Sequence, residues 1–220
     1  VGQSGSLWAL GGSLTVLALL LLLSRSSRFS PSIVVLAGIA LSAFLDSATT
    51  LSLSRGTMEN YFILQWLSGS TYRTSPTAAA LLVLGVLVLL GVALAVSRSM
   101  TLLSIGRDFA QSRGLPLGGA ALVLLGLCAL LCAAATAAMG PVAFVGLVAP
   151  HMAIMMGART VKTQLCAAAL LGGVVVAWAD SLGQILIAPA QIPAGTLAAI
   201  LGAGYFLLLL LFGRLRKSGR

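Results

Sequence analysis

LGGAALVLLGLCALLCAAATAAM, residues 117–139, contains no charged side chain over its 23 residues. A helix rises about 1.5 Å per residue, so a helix of this length crosses the roughly 30 Å hydrocarbon core of a bilayer. Glycine and alanine are frequent among the leucines, a composition that allows helices to approach one another closely within lipid. The stretch therefore predicts a transmembrane helix, and similar stretches recur along the chain.

The composition of the whole 220-residue chain is that of an integral membrane protein. Hydrophobic residues make up 59% of it and charged residues only 8%, and the mean hydropathy is +1.09. A soluble domain carries about a quarter charged residues, which 4 acids and 13 bases cannot supply. The net charge of +9 comes from bases scattered between apolar segments. No basic stripe with interleaved aromatics is present, which disfavours a nucleic-acid partner.

Apolar runs separated by polar breaks predict an all-α polytopic membrane protein with about seven transmembrane segments. All of them are expected to be helical, because an open strand edge in lipid leaves backbone groups unsatisfied. One segment is short and is expected to be re-entrant-like. The predicted segments are 7–23, 31–53, 77–97, 117–139, the short 147–157, 165–188 and 195–213.

The distribution of basic residues predicts the orientation. With a cytoplasmic C-terminus, the loops on the inside are 24–30, 98–116, 158–164 and 214–220. These loops hold 11 of the 13 bases, and the other two, Arg55 and Arg73, fall in the outside loop 54–76. An excess of Lys and Arg marks cytoplasmic loops. This split of the bases holds only if the short segment 147–157 crosses the membrane.

Prolines and glycines predict two broken helices at membrane depth. Gly140-Pro141 and Pro150 bracket the stretch FVGLVAPHM (144–152), and a second break lies near Pro193. Proline removes a helix hydrogen bond, and in transporters discontinuous helices commonly lie beside the pathway. Two tight turns outside the membrane are the alternative, and the spacing does not choose between them. The residues assigned to the broken helices are Gly140, Pro141, Gly146, Pro150, His151, Pro193 and Gly195.

The loop 98–116, RSMTLLSIGRDFAQSRGLP, is amphipathic and is interrupted at Gly106 and Gly114. This pattern predicts short helices lying across the cytoplasmic membrane face, a shape suited to receiving another protein. An interfacial helix resting on lipid headgroups is the less favoured alternative.

Two carboxylates, Asp46 and Asp180, lie within apolar segments. An ionised group there is costly and commonly functional. Proton or cation coupling is one possible role, and a structural hydrogen bond to a neighbouring helix is the other. Because no Lys or Arg lies within the membrane segments as an evident partner, the structural role is favoured.

Several kinds of chemistry are disfavoured by residues that the sequence lacks. Neither lysine, Lys162 or Lys217, stands in a GxxxxGK[ST] sequence, so any ATP must be bound by another subunit. The single histidine, His151, cannot build a multi-histidine metal site, and no CxxC pair supplements it. A Ser68–His151 dyad would combine residues that the topology does not bring together, which disfavours an intramembrane hydrolase.

The stretch GPVAFVGLVAPHMA (140–153) resembles the GPxxFxGLxxPHxxR signature of the FecCD/BtuC-like permeases. These subunits import iron–siderophores, haem and cobalamin in ATP-binding-cassette (ABC) systems. WLSGSTY (66–72), together with QIPAG (191–195), is most similar to the ferric hydroxamate branch, at its C-terminal half. Further stretches that fit the family's motifs in order are LAGIALSA (36–43), IGRDFAQSRGLP (105–116), WADSLGQ (178–184) and QIPAGTLAAILGAGYFLLLLL (191–211).

The resemblance implies a single transmembrane permease domain over residues 1–220, with seven of the family's ten spans and the first three absent. It implies three kinds of partner: ABC ATPase subunits that bind ATP and Mg²⁺, a periplasmic siderophore-binding protein, and a second permease half or subunit. The chain itself is then expected to bind no cofactor or metal and to be no enzyme. The residues implied to couple to the ATPase are Gly106, Arg107, Asp108, Ala110, Arg113 and Gly114.

This sequence departs from the family's pattern at several charged positions. Arg107 and Arg113 stand where an acidic or small residue and a leucine are usual. The arginine of PHxxR is replaced by Ile154 or Met155, depending on register, and that of ADxxAR by Gln184. Each of these last two changes removes a positive charge.

The resulting hypothesis is a ferric-siderophore permease of the bacterial cytoplasmic membrane, with hydroxamate cargo favoured. A proton-coupled secondary transporter acting through Asp46 or Asp180 is the alternative. Arg55 and Arg73, as the outside bases, are expected to contact the binding protein. His151 is expected to be structural and to hydrogen-bond backbone groups freed by the helix break.

Overall fold

The structure is a computed structural model that describes residues 11–16, 18–20, 22, 31–54, 56, 63–64, 66–69, 76–186 and 191–218. Over these ranges all regular secondary structure is helical, which confirms the all-α prediction. A helical stretch also covers described residues of Gly11–Leu20. The helices are α1 (Pro31–Leu53), α2 (Pro76–Ala95), α3 (Ser97–Ile105), α4 (Arg107–Ser112), α5 (Leu117–Met139), α6 (Val145–Met155), α7 (Val161–Ile185) and α8 (Ala194–Ser218).

Among the described residues, four helices are long and apolar enough to cross a membrane, and a fifth is added if a bent pair forms one span. The bent pair is Ala79–Ala95 with Ser97–Ile105, at 51°. Gly11–Leu20 and Val145–Met155 are apolar but shorter. A helix therefore overlaps each predicted segment, and the segment expected to be short is short. The four long spans are Val35–Leu53, Leu117–Met139, Val161–Ile185 and Ala194–Leu211.

The chain divides into two compact units, of which the first comprises residues 1–63 and 77–138. It contains α1, α3 and α4 with most of α2 and α5. Hydroxyl groups in the apolar helix α1 are bonded to the preceding turn: Ser47 Oγ donates to the Ala43 carbonyl at 2.8 Å, and Thr49 Oγ1 to the Leu45 carbonyl at 2.8 Å. Such bonds satisfy polar side chains where water is absent.

The second unit comprises residues 64–76 and 139–220 and is built on the packing of α6, α7 and α8. Its core is formed by Ala179, Leu197 and Ala198, which are almost fully buried. The small side chains allow the helices to approach closely, as in other membrane bundles. At the start of α7, Thr160 and Thr163 form a reciprocal capping box that satisfies end donors of the helix.

The turn that precedes α6 lies earlier than the sequence pattern indicated. Phe144 adopts a left-handed conformation (φ 65°, ψ −27°), and its carbonyl accepts hydrogen bonds from the Leu147 and Val148 amides at 2.9 Å. The helix therefore begins directly after Phe144. Gly146 and Pro150, both assigned from the sequence to the broken helices, lie inside α6 and not at the turn that starts it.

Candidate functional site

Three glycines from separate segments of the second unit meet backbone to backbone, and we call this contact the glycine junction: Gly69, Gly140 and Gly195. The Gly195 amide donates a hydrogen bond to the Gly69 carbonyl at 2.9 Å. A Cβ atom built on Gly195 would lie 2.6 Å from the Ser68 carbonyl oxygen, and one built on Gly69 would lie 2.7 Å from the Pro141 carbonyl oxygen. A Cβ on Gly140 would collide with the Trp66 carbonyl oxygen. None of the three positions has space for a side chain.

Backbone conformation imposes a second restriction at the glycine junction. Gly69 has φ +72° and Gly140 has φ +80°, both in the left-handed region. An L-residue there costs about 1–2 kcal/mol before any collision is counted. The junction therefore brings together Gly140, Pro141 and Gly195, which were all assigned from the sequence to broken helices.

A second close contact joins α6 to α8. A Cβ built on Gly202 of α8 would lie 2.5 Å from the Phe144 Cβ and 3.5 Å from a Val148 methyl carbon. Beside this contact lies an apolar hollow of about 180 Å³. Its lining includes Val145, Trp178 and Tyr205. Apolar walls of this kind shape a surface but provide few groups for specific recognition.

His151 lies on α6 among aromatic side chains of α8. Its ring centroid is 6.0 Å from that of Tyr205, edge to face, and 6.2 Å from that of Phe206. The Tyr205 hydroxyl donates to the Met155 sulfur at 3.3 Å. Within the described part of the chain, His151 Nε2 is buried and has no hydrogen-bond partner. The expectation that His151 bonds freed backbone is therefore not met at Nε2, and the ring packs instead near Tyr205 and Phe206.

We predict that His151→Phe retains most transport and thermal stability, because a phenyl ring keeps the aromatic contacts and Nε2 leaves no partner behind. His151→Ala should lower stability by roughly 1–3 kcal/mol, since two aromatic contacts of about 0.5–1.5 kcal/mol each are lost. Thermal unfolding in detergent and uptake in cells expressing each variant measure the two effects. Loss of uptake in a stably folded His151→Phe variant would show instead that an imidazole nitrogen is required.

The intramembrane carboxylates have different surroundings. On α7, Gln184 Nε2 donates to Asp180 Oδ2 at 2.9 Å, one helical turn away. Gln184 stands where the family pattern has arginine, so a neutral amide donor occupies the position of a charged one. Asp46 is exposed on α1, and its backbone carbonyl accepts from Thr50 Oγ1 at 2.9 Å. Neither contact tests proton or cation coupling, so a coupling role for Asp46 or Asp180 stays a prediction.

The loop that was assigned to the ATPase forms two short helices, α3 and α4, separated at Gly106 as the sequence predicted. Ala110 is fully buried, whereas Ile105 is 61% exposed and Phe109 is 37% exposed. The Arg113 guanidinium lies over the Phe109 ring, 5.2 Å from its centroid. Ile105, Phe109 and Arg113 are thus all exposed in this segment.

After α4 the chain reverses at Gly114, which has φ +78°. The Gly114 amide bonds to the Gln111 carbonyl at 2.9 Å and the Leu115 amide to the Ala110 carbonyl at 3.0 Å, which satisfies carbonyls at the helix end. Arg107 and Asp108 lie in the first turn of α4, and both are exposed. An acid at this position is stabilised by the helix dipole.

Some of the predicted site residues cannot be placed. Arg55 and Arg73 lie outside the described residues. Within the described ranges, no group of three or more His, Cys, Asp or Glu side chains is positioned to hold a metal ion. The described candidates fall into separate regions: the glycine junction, the His151 cluster on α6 and α8, and the surface of α3 and α4.

The sequence reasoning did not single out Gly69, Phe144, Gly202 or Tyr205 as site residues. Gly69 stands in the quoted stretch WLSGSTY, and a glycine between two polar residues of a loop indicates a possible left-handed turn. Phe144 gave no such signal, because left-handed φ values are uncommon for large side chains. Gly202 and Tyr205 lie in an apolar run in which periodicity does not distinguish their contacts.

The fold and its apolar helices define a multi-pass helical membrane protein. The sequence model of the FecCD transport family matches residues 3–212. The chain belongs to the FecCD transport family.

The curated relatives include iron-transport permeases of several kinds. The iron(3+)-hydroxamate import system permease protein FhuB of Salmonella typhimurium is 37% identical over 212 residues, which cover 96% of this chain and 30% of FhuB. The Fe(3+)-citrate import system permease protein YfmE of Bacillus subtilis is 32% identical, covering 93% of this chain and 61% of YfmE. The hemin transport system permease protein HmuU of Yersinia pestis is 35% identical, covering 94% and 63%. The chain thus spans between 30% and 63% of the length of these relatives.

The fold is also similar to a solved structure, an inward-facing conformation of a metal-chelate type ABC transporter. The TM-score is 0.81 at 24% sequence identity, over 94% of this chain and 73% of that chain. At this identity the likeness establishes the fold alone.

Proposed function

We propose that this chain is a transmembrane permease part of an ABC importer that moves a ferric siderophore across the bacterial inner membrane. The observation that carries the proposal is the 37% identity to FhuB over 96% of the chain, within a family match of residues 3–212. Hydroxamate siderophores are the favoured cargo. The citrate and hemin permeases among the relatives define the other cargo classes to be tested.

In this proposal the chain performs no chemistry of its own. ATP and Mg²⁺ are bound by partner ATPase subunits, a periplasmic binding protein delivers the cargo, and a second permease half or subunit completes the pathway. The C-terminus is cytoplasmic, as the 11 bases in the inside loops indicate. The glycine junction supports the order of crossings on which this orientation is built, because it joins three positions that the charge pattern assigns to the same membrane side.

Uptake of labelled ferric hydroxamate into proteoliposomes tests the proposal. The vesicles contain the full-length permease assembled with its ATPase, and the binding protein is added outside. We expect uptake to require ATP, to be abolished by an inactive ATPase, and to persist when a protonophore collapses the proton gradient. Uptake that requires the proton gradient but not ATP would instead establish a proton-coupled secondary transporter. Competition by unlabelled ferric citrate and haem distinguishes the cargo classes.

Charge reversal of the outside arginines is predicted to weaken the binding-protein contact. The Arg55→Glu/Arg73→Glu double variant should lower the affinity for the binding protein, because rim charges steer association between surfaces of opposite charge. The difference from wild type should shrink at high salt, where exposed charges are screened. Binding to the reconstituted permease at low and high salt measures the effect. An unchanged affinity at low salt would exclude both arginines from the contact.

A further inference from the structure

The glycine junction holds together segments that are distant in sequence. Gly69 follows a single helical turn in which the Ser68 amide bonds to the Leu64 carbonyl at 3.1 Å and the Gly69 amide bonds to the Trp66 carbonyl at 3.1 Å. Gly140 lies between α5 and α6, and Gly195 lies in the first turn of α8. The junction thus connects one short turn to the segment that joins α5 to α6 and to the first turn of α8.

Close backbone contact of this kind is not shared by every glycine of the apolar helices. Gly126, Gly173 and Gly204 also lie in apolar helices, yet a Cβ atom on any of them would meet nothing of this chain within 4 Å. A general abundance of glycine in membrane helices therefore does not explain the junction. Its glycines are required where backbone touches backbone.

The chain's division into two compact units reflects the same contacts. Residues 64–76 belong to the second unit, although the residues on both sides of them in sequence, 1–63 and 77–138, belong to the first. The segment 64–76 is therefore grouped with the second unit by its contacts, although its neighbours in sequence belong to the first. The Gly195–Gly69 hydrogen bond and the packing at Gly140 attach its described part, 66–69, to the second unit.

We propose that Gly69, Gly140 and Gly195 form a positioning clamp that makes the segment 66–69 move as one body with α6, α7 and α8. No side chain is involved in the clamp, so its geometry depends on the absence of Cβ atoms. The proposal rests on the proposed function for the statement that a transport cycle moves these helices. In that cycle the clamp links residues 66–69 to the beginning of α8.

Spin-label distances test the clamp directly. Leu67 and Thr196 are exposed and adjoin the junction, so each is replaced by cysteine and labelled after Cys128, Cys132 and Cys166 are changed to alanine. The permease assembled with its ATPase is measured at rest and with ATP trapped. We expect one narrow distance distribution that is unchanged between the two states. A broad distribution at rest, or a shift on ATP trapping, would overturn the proposal.

The Gly195→Ala variant tests what the clamp does, and Gly204→Ala on the same helix is the matched control. We expect Gly195→Ala to assemble with the ATPase, to broaden the label distance, and to lower binding-protein-dependent uptake at least about tenfold, as small misplacements of positioning groups do. Gly204→Ala should change none of these readouts. Wild-type uptake in an assembled Gly195→Ala variant would overturn the proposal.

The clamp and the proposed function fail in different ways. If the wild-type protein transports no ferric siderophore, the transport proposal fails, while the label distance at rest still reports on the clamp. If Gly195→Ala does not assemble, the distances in the protein with all three junction glycines intact still decide the question.

Discussion

Replacing Gly202 by alanine is expected to destabilise the protein and to abolish most transport. The added Cβ would lie 2.5 Å from the Phe144 Cβ and 3.2 Å from its ring carbon Cγ. Phe144 cannot move away easily, because its left-handed backbone (φ 65°) forms the turn that starts α6. Overpacking of this kind costs about 1–3 kcal/mol, which equals or exceeds the gain of about 1 kcal/mol when alanine replaces glycine within a helix.

The control for this variant is Gly204→Ala, two residues further along α8. A Cβ atom there would have open space within this chain. It experiences the same gain in helix propensity without the collision. Thermal unfolding in detergent should therefore give a lower Tm for Gly202→Ala and an unchanged or higher Tm for Gly204→Ala. Equal Tm values for the two variants would show that α6 and α8 adjust at no cost and that Phe144 is not fixed.

The positions of the apolar helices were predictable because they depend on sums over many residues. The hydrophobic stretches 117–139 and 195–213 are long enough that errors at single positions do not matter, and lipid restricts their structure to helices. The break at Gly106 was also predictable, since glycine interrupts an amphipathic pattern there. These features follow from composition and spacing alone.

The close contacts were not predictable, because each depends on where two distant segments meet. Pro150 was expected at the helix break, since proline removes a backbone donor. Instead the turn is closed by Phe144, a residue type for which left-handed φ is uncommon. His151 was expected to bond freed backbone, but its ring packs near aromatic groups of α8. Packing between helices thus overrode the backbone preference of Phe144 and the hydrogen-bonding preference of His151.

Reversing both charges on α4 is the second change for which we expect a large effect. The Arg107→Glu/Arg113→Glu double variant should weaken association with the ATPase at least about tenfold, or about 1.4 kcal/mol. Three arginines and one aspartate lie in the segment 97–116, so this surface has a net positive charge and suits an acidic groove on the partner. Its apolar part, Ile105 and Phe109, provides the area that such a groove would cover.

A charge-preserving variant separates the two ways in which Arg113 acts on this surface. Arg113→Lys keeps the charge but loses the planar group that lies over the Phe109 ring at 5.2 Å. We expect it to weaken association only slightly, because an exposed cation–π contact contributes about 0.5–1 kcal/mol. A loss as large as that of the double reversal would show that stacking, and not charge, holds the partner.

The salt and lipid dependence of the double reversal decides between protein docking and headgroup binding. If the partner is an acidic ATPase surface, the affinity difference between wild type and the double variant should shrink at high salt, since exposed charges are then screened. It should not depend on the fraction of anionic lipid. If α3 and α4 rest on lipid headgroups, the arginines gain about 1 kcal/mol each from anionic lipid. The variant would then lose its defect in purely zwitterionic vesicles, and that result would contradict docking through these arginines.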